Sequence, residues 1–226
     1  MKVTSYGHSC FMVEVKGKRL LFDPYISPNP NAKEIDVNKV QADYILISHA
    51  HEDHIADVET IAKRTKAKII SNYEIVNWYN ARGLKNTHPM NIGGSFDFDF
   101  GLVSYVQAVH SSSFPDGTYG GLAGGFIIES SEGSFYFAGD TGLTTNMKLI
   151  TEFKDLSFAF LPIGGNFTMN TEAAIMASDF INCKTIIGMH YDTFDLIKID
   201  KEEAVEQFSS VQKELILFDI GKTINL

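Results

Sequence analysis

Apolar and polar positions alternate in short runs at the start of the chain. Lys2 to Tyr6, Cys10 to Val15 and Leu20 to Phe22 have strand length and are separated by turn signals at Gly7 and Gly17. Tyr44-Ile45-Leu46-Ile47 is an unbroken apolar run that reads as a buried strand. The period then changes. Ile55, Val58, Ile61 and Ala62 recur at helical spacing, which predicts a helix to about Lys66, and a strand follows at Lys68 to Ser71. The second half repeats this order: Phe96 to Phe100 alternates Phe with Asp as a half-buried strand does, and Val103 to Val109 follows. Gly125 to Glu129 and Ser134 to Ala138 then form a hairpin across Ser131-Glu132-Gly133. Helical patterns near Asn146 to Phe153, Thr171 to Ile181 and Lys201 to Phe208 are joined by short strands at Thr185 to Gly188 and Leu215 to Phe218.

Hairpins first and strand-helix alternation afterwards, twice over, predict an α/β architecture. Two mixed sheets would lie face to face with helices on their outer sides. The 226 residues suffice for one core and carry no repeat, linker or low-complexity tract, so a single domain over 1–226 is expected. Net charge is −9, and the basic cluster Lys16-Gly17-Lys18-Arg19 sits between apolar runs as a hairpin turn would. Nucleic-acid partners are therefore disfavoured, while a small anionic substrate is not. The N-terminus has no apolar signal core and no run has the length of a membrane span, so a cytoplasmic protein without membrane partners is expected. Cys10 and Cys183 are too few for a disulfide framework and are expected as reduced, buried thiols.

Candidate chemistry concentrates in His49-Ala50-His51-Glu52-Asp53-His54, directly after the Tyr44 strand. In an extended loop His49 and His51 point to one side, and Asp53 and His54 would sit at the turn entering the helix. Imidazole and carboxylate together suit Zn²⁺, with Mn²⁺ or Fe²⁺ as neighbouring choices. His110, Asp140 and His190 each follow a strand, the position at which layered α/β folds assemble their sites.

In Gly7-His8-Ser9-Cys10-Phe11, Phe22-Asp23-Pro24, Ser48 to His54, His110-Ser111-Ser112-Ser113, Gly139-Asp140-Thr141-Gly142 and His190-Tyr191 the sequence resembles the metallo-β-lactamase superfamily. It is most similar there to small metal-dependent hydrolases like the bacterial ascorbate-phosphate lactonases. The resemblance implies a four-layer αββα sandwich with its site at the sheet edge. It implies that His49, His51 and His110 hold one divalent ion, that Asp53, His54 and His190 hold a second, and that Asp140 bridges them. Asp23 would support the ligands from behind, its plain alternative being a turn cap before Pro24. His54 departs from the cysteine-containing arrangement of the β-lactamases proper, and His51 replaces the Glu of the flavodiiron oxygen reductases.

The chemistry so implied is hydrolysis of a small ester or lactone by metal-bound hydroxide, with Asp53 orienting the nucleophile and shuttling its proton. A small-molecule phosphodiesterase is the alternative, and a non-catalytic metal-binding scaffold or sensor is a third reading. Seven ligands for two ions leave open positions, which favours an enzyme. Candidate substrate contacts are His8, Tyr119 in the glycine-rich run 117–125, Asn166 in the loop after Pro162, and Tyr191. His8 has an equal alternative as a hydrogen bond across the first hairpin, and Thr171 reads as a helix N-cap.

Overall fold

Each apolar run pairs with its neighbour in the register that its alternation requires. A computed structural model describes residues 1–152 and 155–226. The first sheet contains β1 (Lys2–Gly7), β2 (Cys10–Val15), β3 (Lys18–Phe22), β4 (Tyr44–Leu46), β5 (Lys68–Asn72) and β6 (Thr87–Met90). The second contains β7 (Ser95–Phe98), β8 (Gly101–Gln107), β9 (Gly124–Ser130), β10 (Gly133–Phe137), β11 (Phe158–Pro162), β12 (Thr185–Met189) and β13 (Glu214–Ile216). The terminal strand β14 (Thr223–Asn225) returns to the first sheet, whose order is β14-β1-β2-β3-β4-β5-β6; the second runs β13-β12-β11-β10-β9-β8-β7. Each sheet is antiparallel through its hairpins and parallel where helices intervene.

Alternation along the strands assigns every side chain to a layer. Phe11, Val13, Leu20, Phe22 and Leu46 enter the core between the sheets, whereas Cys10, Met12, Leu21, Ile45 and Ile47 face the other way. Phe22 stacks on Phe137 at 4.6 Å between centroids and Phe11 meets Phe160 at 4.8 Å, so aromatic side chains join the two sheets. Helices α1 (Glu52–Ile55), α2 (Val58–Thr65) and α3 (Tyr73–Ala81) lie in the first half of the chain, and α2 and α3 cover the outer face of the first sheet through Val58, Ile61, Ala62, Ile75 and Tyr79. Helices α4 (Thr171–Phe180) and α5 (Lys201–Ser210) flank the second sheet and bury Ala174, Ala177, Ala204 and Phe208. The result is the predicted four-layer sandwich.

Local differences from the sequence reading have physical causes. The helix expected from Ile55 to Lys66 is broken at Ala56-Asp57, because the buried Asp57 carboxylate accepts hydrogen bonds from Ile26 N (2.7 Å), Ser27 N (2.8 Å) and Ser27 Oγ (2.6 Å). The pattern at Asn146 to Phe153 is a 3₁₀ helix over Thr145–Glu152, and its predicted last residue lies outside the described residues. Helix α4 is capped by Asn170, not Thr171; the Asn170 side chain accepts from Ala173 N at 2.9 Å. The basic cluster is indeed a hairpin turn, with Lys16 and Gly17 both at positive φ. Both cysteines are free and buried. Among the described residues, no helix is long and apolar enough to cross a membrane.

Candidate metal centre

The site is organised from beneath by Asp23, which ends β3 in a left-handed conformation (φ 42°) that Asp tolerates better than most residues. Its side chain is fully buried, and both oxygens are used. Oδ1 accepts from Ser48 N at 2.7 Å; Oδ2 accepts from Ser48 Oγ at 2.6 Å and from His54 Nδ1 at 2.8 Å. Ser48 Oγ also lies 2.9 Å from His49 Nδ1. An ionised carboxylate only accepts, so the protons follow in order: His54 Nδ1–H and Ser48 O–H point at Asp23, and His49 Nδ1–H points at Ser48. With Nδ1 of both rings so committed, Nε2 is the nitrogen each would offer to a cation in the space above.

Asp140 enters that space from the end of β10. Gly139 precedes it at φ 62°, where a Cβ would stand 2.7 Å from Ser48 Cβ and 2.8 Å from Gly124 O, so this crossing of the sheet edges needs glycine. Asp140 Oδ2 lies 2.9 Å from His190 Nε2, 3.3 Å from His54 Nε2, 3.6 Å from His110 Nε2 and 3.9 Å from His49 Nε2. Asp53 Oδ2 is 3.7 Å from Nε2 of both His54 and His190. His51 Nδ1 is 3.0 Å from His49 Nε2. Donor atoms of His49, His51 and His110 gather within 4.8 Å of one another, and so do those of His8, Asp53, His54 and His190. All seven residues read as ligands in the sequence converge here.

The donor set fits a divalent metal. Asp140 Oδ1 and His54 Nε2 are buried without a hydrogen-bond partner, a cost that native proteins rarely leave standing and that a cation among these donors would remove. The protonation pattern in the metal-free chain points the same way. Burial drives His49 well below the usual imidazole value and lowers His51 and His110. Burial also opposes the charge on His190 and His54, but the carboxylates overcome it: Asp140 and Asp53 push His190 up to about 9, and Asp140, Asp53 and Asp23 hold His54 well above its ordinary value. Asp140 and Asp53 stay ionised despite burial because these histidines face them. Protons here stand where cations would.

The His8 side chain makes no bond across the first hairpin and sits instead between Asp53 and Thr193. Its Nε2 lies 3.0 Å from Asp53 Oδ2 and its Nδ1 lies 2.8 Å from Thr193 Oγ1. Burial lowers its pKa to about 4, so the ring is neutral; Nε2–H donates to Asp53 while Nδ1 accepts the Thr193 hydroxyl. Thr193 carries no signal in the sequence, since only the fold brings it to His8.

Above the cluster opens a cleft of about 580 Å³. His51, Asp53, His110, Asp140 and His190 form its floor, and Phe114, Pro115, Phe167 and Phe194 form its walls with Ser111 and Ser113. No lysine or arginine lines it among the described residues. Like His8, the other three expected substrate contacts lie outside this lining. Tyr119 is 61% exposed, Asn166 is exposed at φ 54° while its neighbour Phe167 takes the wall, and Tyr191 lines a separate cavity of about 660 Å³ behind His8. Ser112 faces away from the cleft and serves the scaffold, accepting from Ala50 N at 3.2 Å and donating to Gly120 O at 2.9 Å.

Two mixed sheets between helices, with a histidine–aspartate cluster across their common edge, define a metal-dependent hydrolase of the metallo-β-lactamase class. The chain belongs to that superfamily: residues 2–190 match the family described as the Beta-lactamase superfamily domain. It is 56% identical over the whole of both chains to a UPF0173 metal-dependent hydrolase of Flavobacterium johnsoniae, and 41% identical, again over both chains, to one of Bacillus cereus. Among solved structures it is similar to Igni18, a metallo hydrolase from the archaeon Ignicoccus hospitalis, with a TM-score of 0.89, 35% identity, and 99% and 97% of the two chains covered. An isothiocyanate hydrolase from Delia radicum gut bacteria shares the fold at a TM-score of 0.79 and 16% identity, over 100% and 99% of the chains.

Proposed function

We propose that the chain is a dinuclear hydrolase of small esters and lactones. The observation that carries this reading is Asp140 Oδ2, set among four imidazole Nε2 atoms with a further donor group on either side. His49, His51 and His110 would hold one ion, Asp53, His54 and His190 the other, and Asp140 both; zinc suits the donors best, and Mn²⁺ or Fe²⁺ share their preference. Bound there, such ions would lower the pKa of a coordinated water from about 15.7 to about 7 and polarise the oxygen of the scissile group.

The chain's own residues supply the rest. Asp53, whose carboxylate is ionised and a quarter exposed to the cleft, orients the attacking water and accepts its proton. His8 fixes that carboxylate by an N–H donated from a neutral ring, so Asp53 is held without being neutralised. Asp23 and Ser48 fix the tautomers of His54 and His49. The aromatic walls would displace water from the sides of a bound reacting group and so strengthen its polar contacts within the cleft.

Elemental analysis of metal-loaded protein tests the dinuclear reading, with about two ions per chain expected from the seven-ligand set. Activity is measured in parallel against ester, lactone, thioester, phosphodiester and amide panels. A loaded enzyme that ignores esters and lactones but turns over phosphodiesters overturns the substrate class, and one tightly held ion at full activity overturns the dinuclear centre.

A further inference from the structure

Resting on that reading, we infer that the substrate is neutral and carries a compact apolar or aromatic acyl group, bound between Phe167 and Phe194 above the metal ligands. The negative charge of the chain and its prospective metal centre favour a small anion when weighed from sequence alone. Beyond the prospective metals, the cleft offers such an anion the hydroxyls of Ser111 and Ser113 but no fixed positive charge. No guanidinium or ammonium lines it among the described residues, and Glu52 places a carboxylate on its edge. A second charged group on a substrate, such as a remote carboxylate or phosphate, would be desolvated beside that carboxylate without a cationic partner.

The apolar walls are built, and they come from three separate strand ends. Phe114 follows β8; it is buried and stacks on Trp78 with centroids 4.1 Å apart and planes 8° from parallel, while the Arg82 guanidinium covers the ring of Trp78 at 3.2 Å. Phe194 follows β12 and meets His8 edge-on at 5.4 Å, so one aromatic group touches the residue that positions Asp53 and also faces the cleft. Phe167 follows β11 and is 52% exposed, although a large aromatic side chain gains by burial. Exposed aromatics converging on one concave, preformed wall mark a ligand site. A volume of about 580 Å³ matches a single-ring or short-chain ester.

The test compares 4-nitrophenyl butyrate with mono-4-nitrophenyl succinate, which has a similar acyl length but ends in a carboxylate. The metal-loaded enzyme should favour the butyrate by about tenfold or more in kcat/KM. Phe167→Ala and Phe194→Ala should each raise KM for the butyrate about three- to tenfold, and raise it less for the acetate ester, with metal content unchanged. Binding of N-methyl-2-phenylacetamide, a neutral and slowly hydrolysed probe whose ring is on the acyl side, is measured separately by ligand-observed NMR. It should be saturable and at least about threefold weaker in the double Phe variant. Equal or better turnover of the succinate ester, or probe binding that ignores both phenylalanines, overturns the inference. Phe-dependent probe binding by an enzyme that hydrolyses no ester sustains the cleft assignment while removing the esterase reading.

Discussion

Replacing Asp23 by Asn should cost metal affinity without unfolding the protein, and the structure sets the size of the effect. Asn accepts the left-handed φ of 42° at this position, and its carbonyl can still take the Ser48 N–H that now reaches Oδ1 at 2.7 Å. The difference falls on Oδ2. An amide NH₂ there faces His54 Nδ1 at 2.8 Å and, being a donor, requires Nδ1 to accept. The His54 proton then moves to Nε2, the atom that faces Asp140 at 3.3 Å, and a ligand lone pair is replaced by a hydrogen. Ser48 loses its acceptor too, so the orientation of His49 relaxes. A substitution behind ligating histidines is worth about 10- to 100-fold in metal affinity or activity, or about 1.4–2.7 kcal/mol. Alanine is a different experiment. It strands three donors, at about 1–3 kcal/mol each, in a domain whose whole stability is of order 5–15 kcal/mol. The assay is competition between the Asn variant and a chromophoric chelator, with thermal melting of the metal-free form as the folding control. Unchanged affinity in a folded Asn variant would refute the tautomer argument.

Further outcomes are open to direct measurement. Asp140→Ala should lower metal content more than any single histidine variant in elemental analysis, because it removes the carboxylate that approaches four imidazoles. In the metal-free protein His190 is raised to about 9 from an unfolded value of about 6.5, so its contribution to stability is complete below pH 6.5 and is lost as pH rises through about 9. Melting temperature should therefore fall across that window, and metal loading at neutral pH should release protons detectable in a weakly buffered solution. Gly120→Ala would put a Cβ 2.3 Å from Ala50 Cβ and 2.7 Å from Ser112 Oγ, beneath the His49–His51 loop; a loss of about 1–3 kcal/mol in denaturant unfolding is expected. Mass spectrometry of enzyme quenched during turnover should find no acyl adduct on Ser111 or Ser113: Ser111 Oγ lies 3.3 Å from His51 Nε2, and an ion held by His51 Nδ1, the nitrogen that faces His49, would leave Nε2 protonated and unable to act as a base.

What sequence could show divides by range. The histidine–aspartate cluster was legible because His49, His51, Asp53 and His54 crowd one strand end, and because His110, Asp140 and His190 repeat that position. A ligand must be of a particular chemical type, so identity and spacing carry the signal. The two sheets were legible for a similar reason, as a period of two in β2 and β3 sends Phe11 and Phe22 inward and Cys10 and Leu21 outward. Helix α3 was missed although Asn72 caps it and Ile75, Val76 and Tyr79 mark its buried face; the signal was present within a nine-residue span. Strand β14 was not readable from its own residues, since its place in the sheet depends on pairing with β1 at the opposite end of the chain.

The pocket was the least legible part, and the reason is geometric. Sequence reasoning chose polar residues beside ligand loops, yet a left-handed residue at Asn166 brings Phe167 to the wall instead, and positive φ at both His190 and Asp192 turns the chain toward Thr193 and Phe194. Metal affinity selects residues by what they donate; substrate affinity selects them by where the backbone points. The first is largely written in residue identity, whereas the second depends on a few backbone torsions that alternation patterns do not encode. Relatives that keep the cluster can therefore differ in substrate through these three loops alone, and exchanging Phe167 or Phe194 should move specificity before it moves metal content.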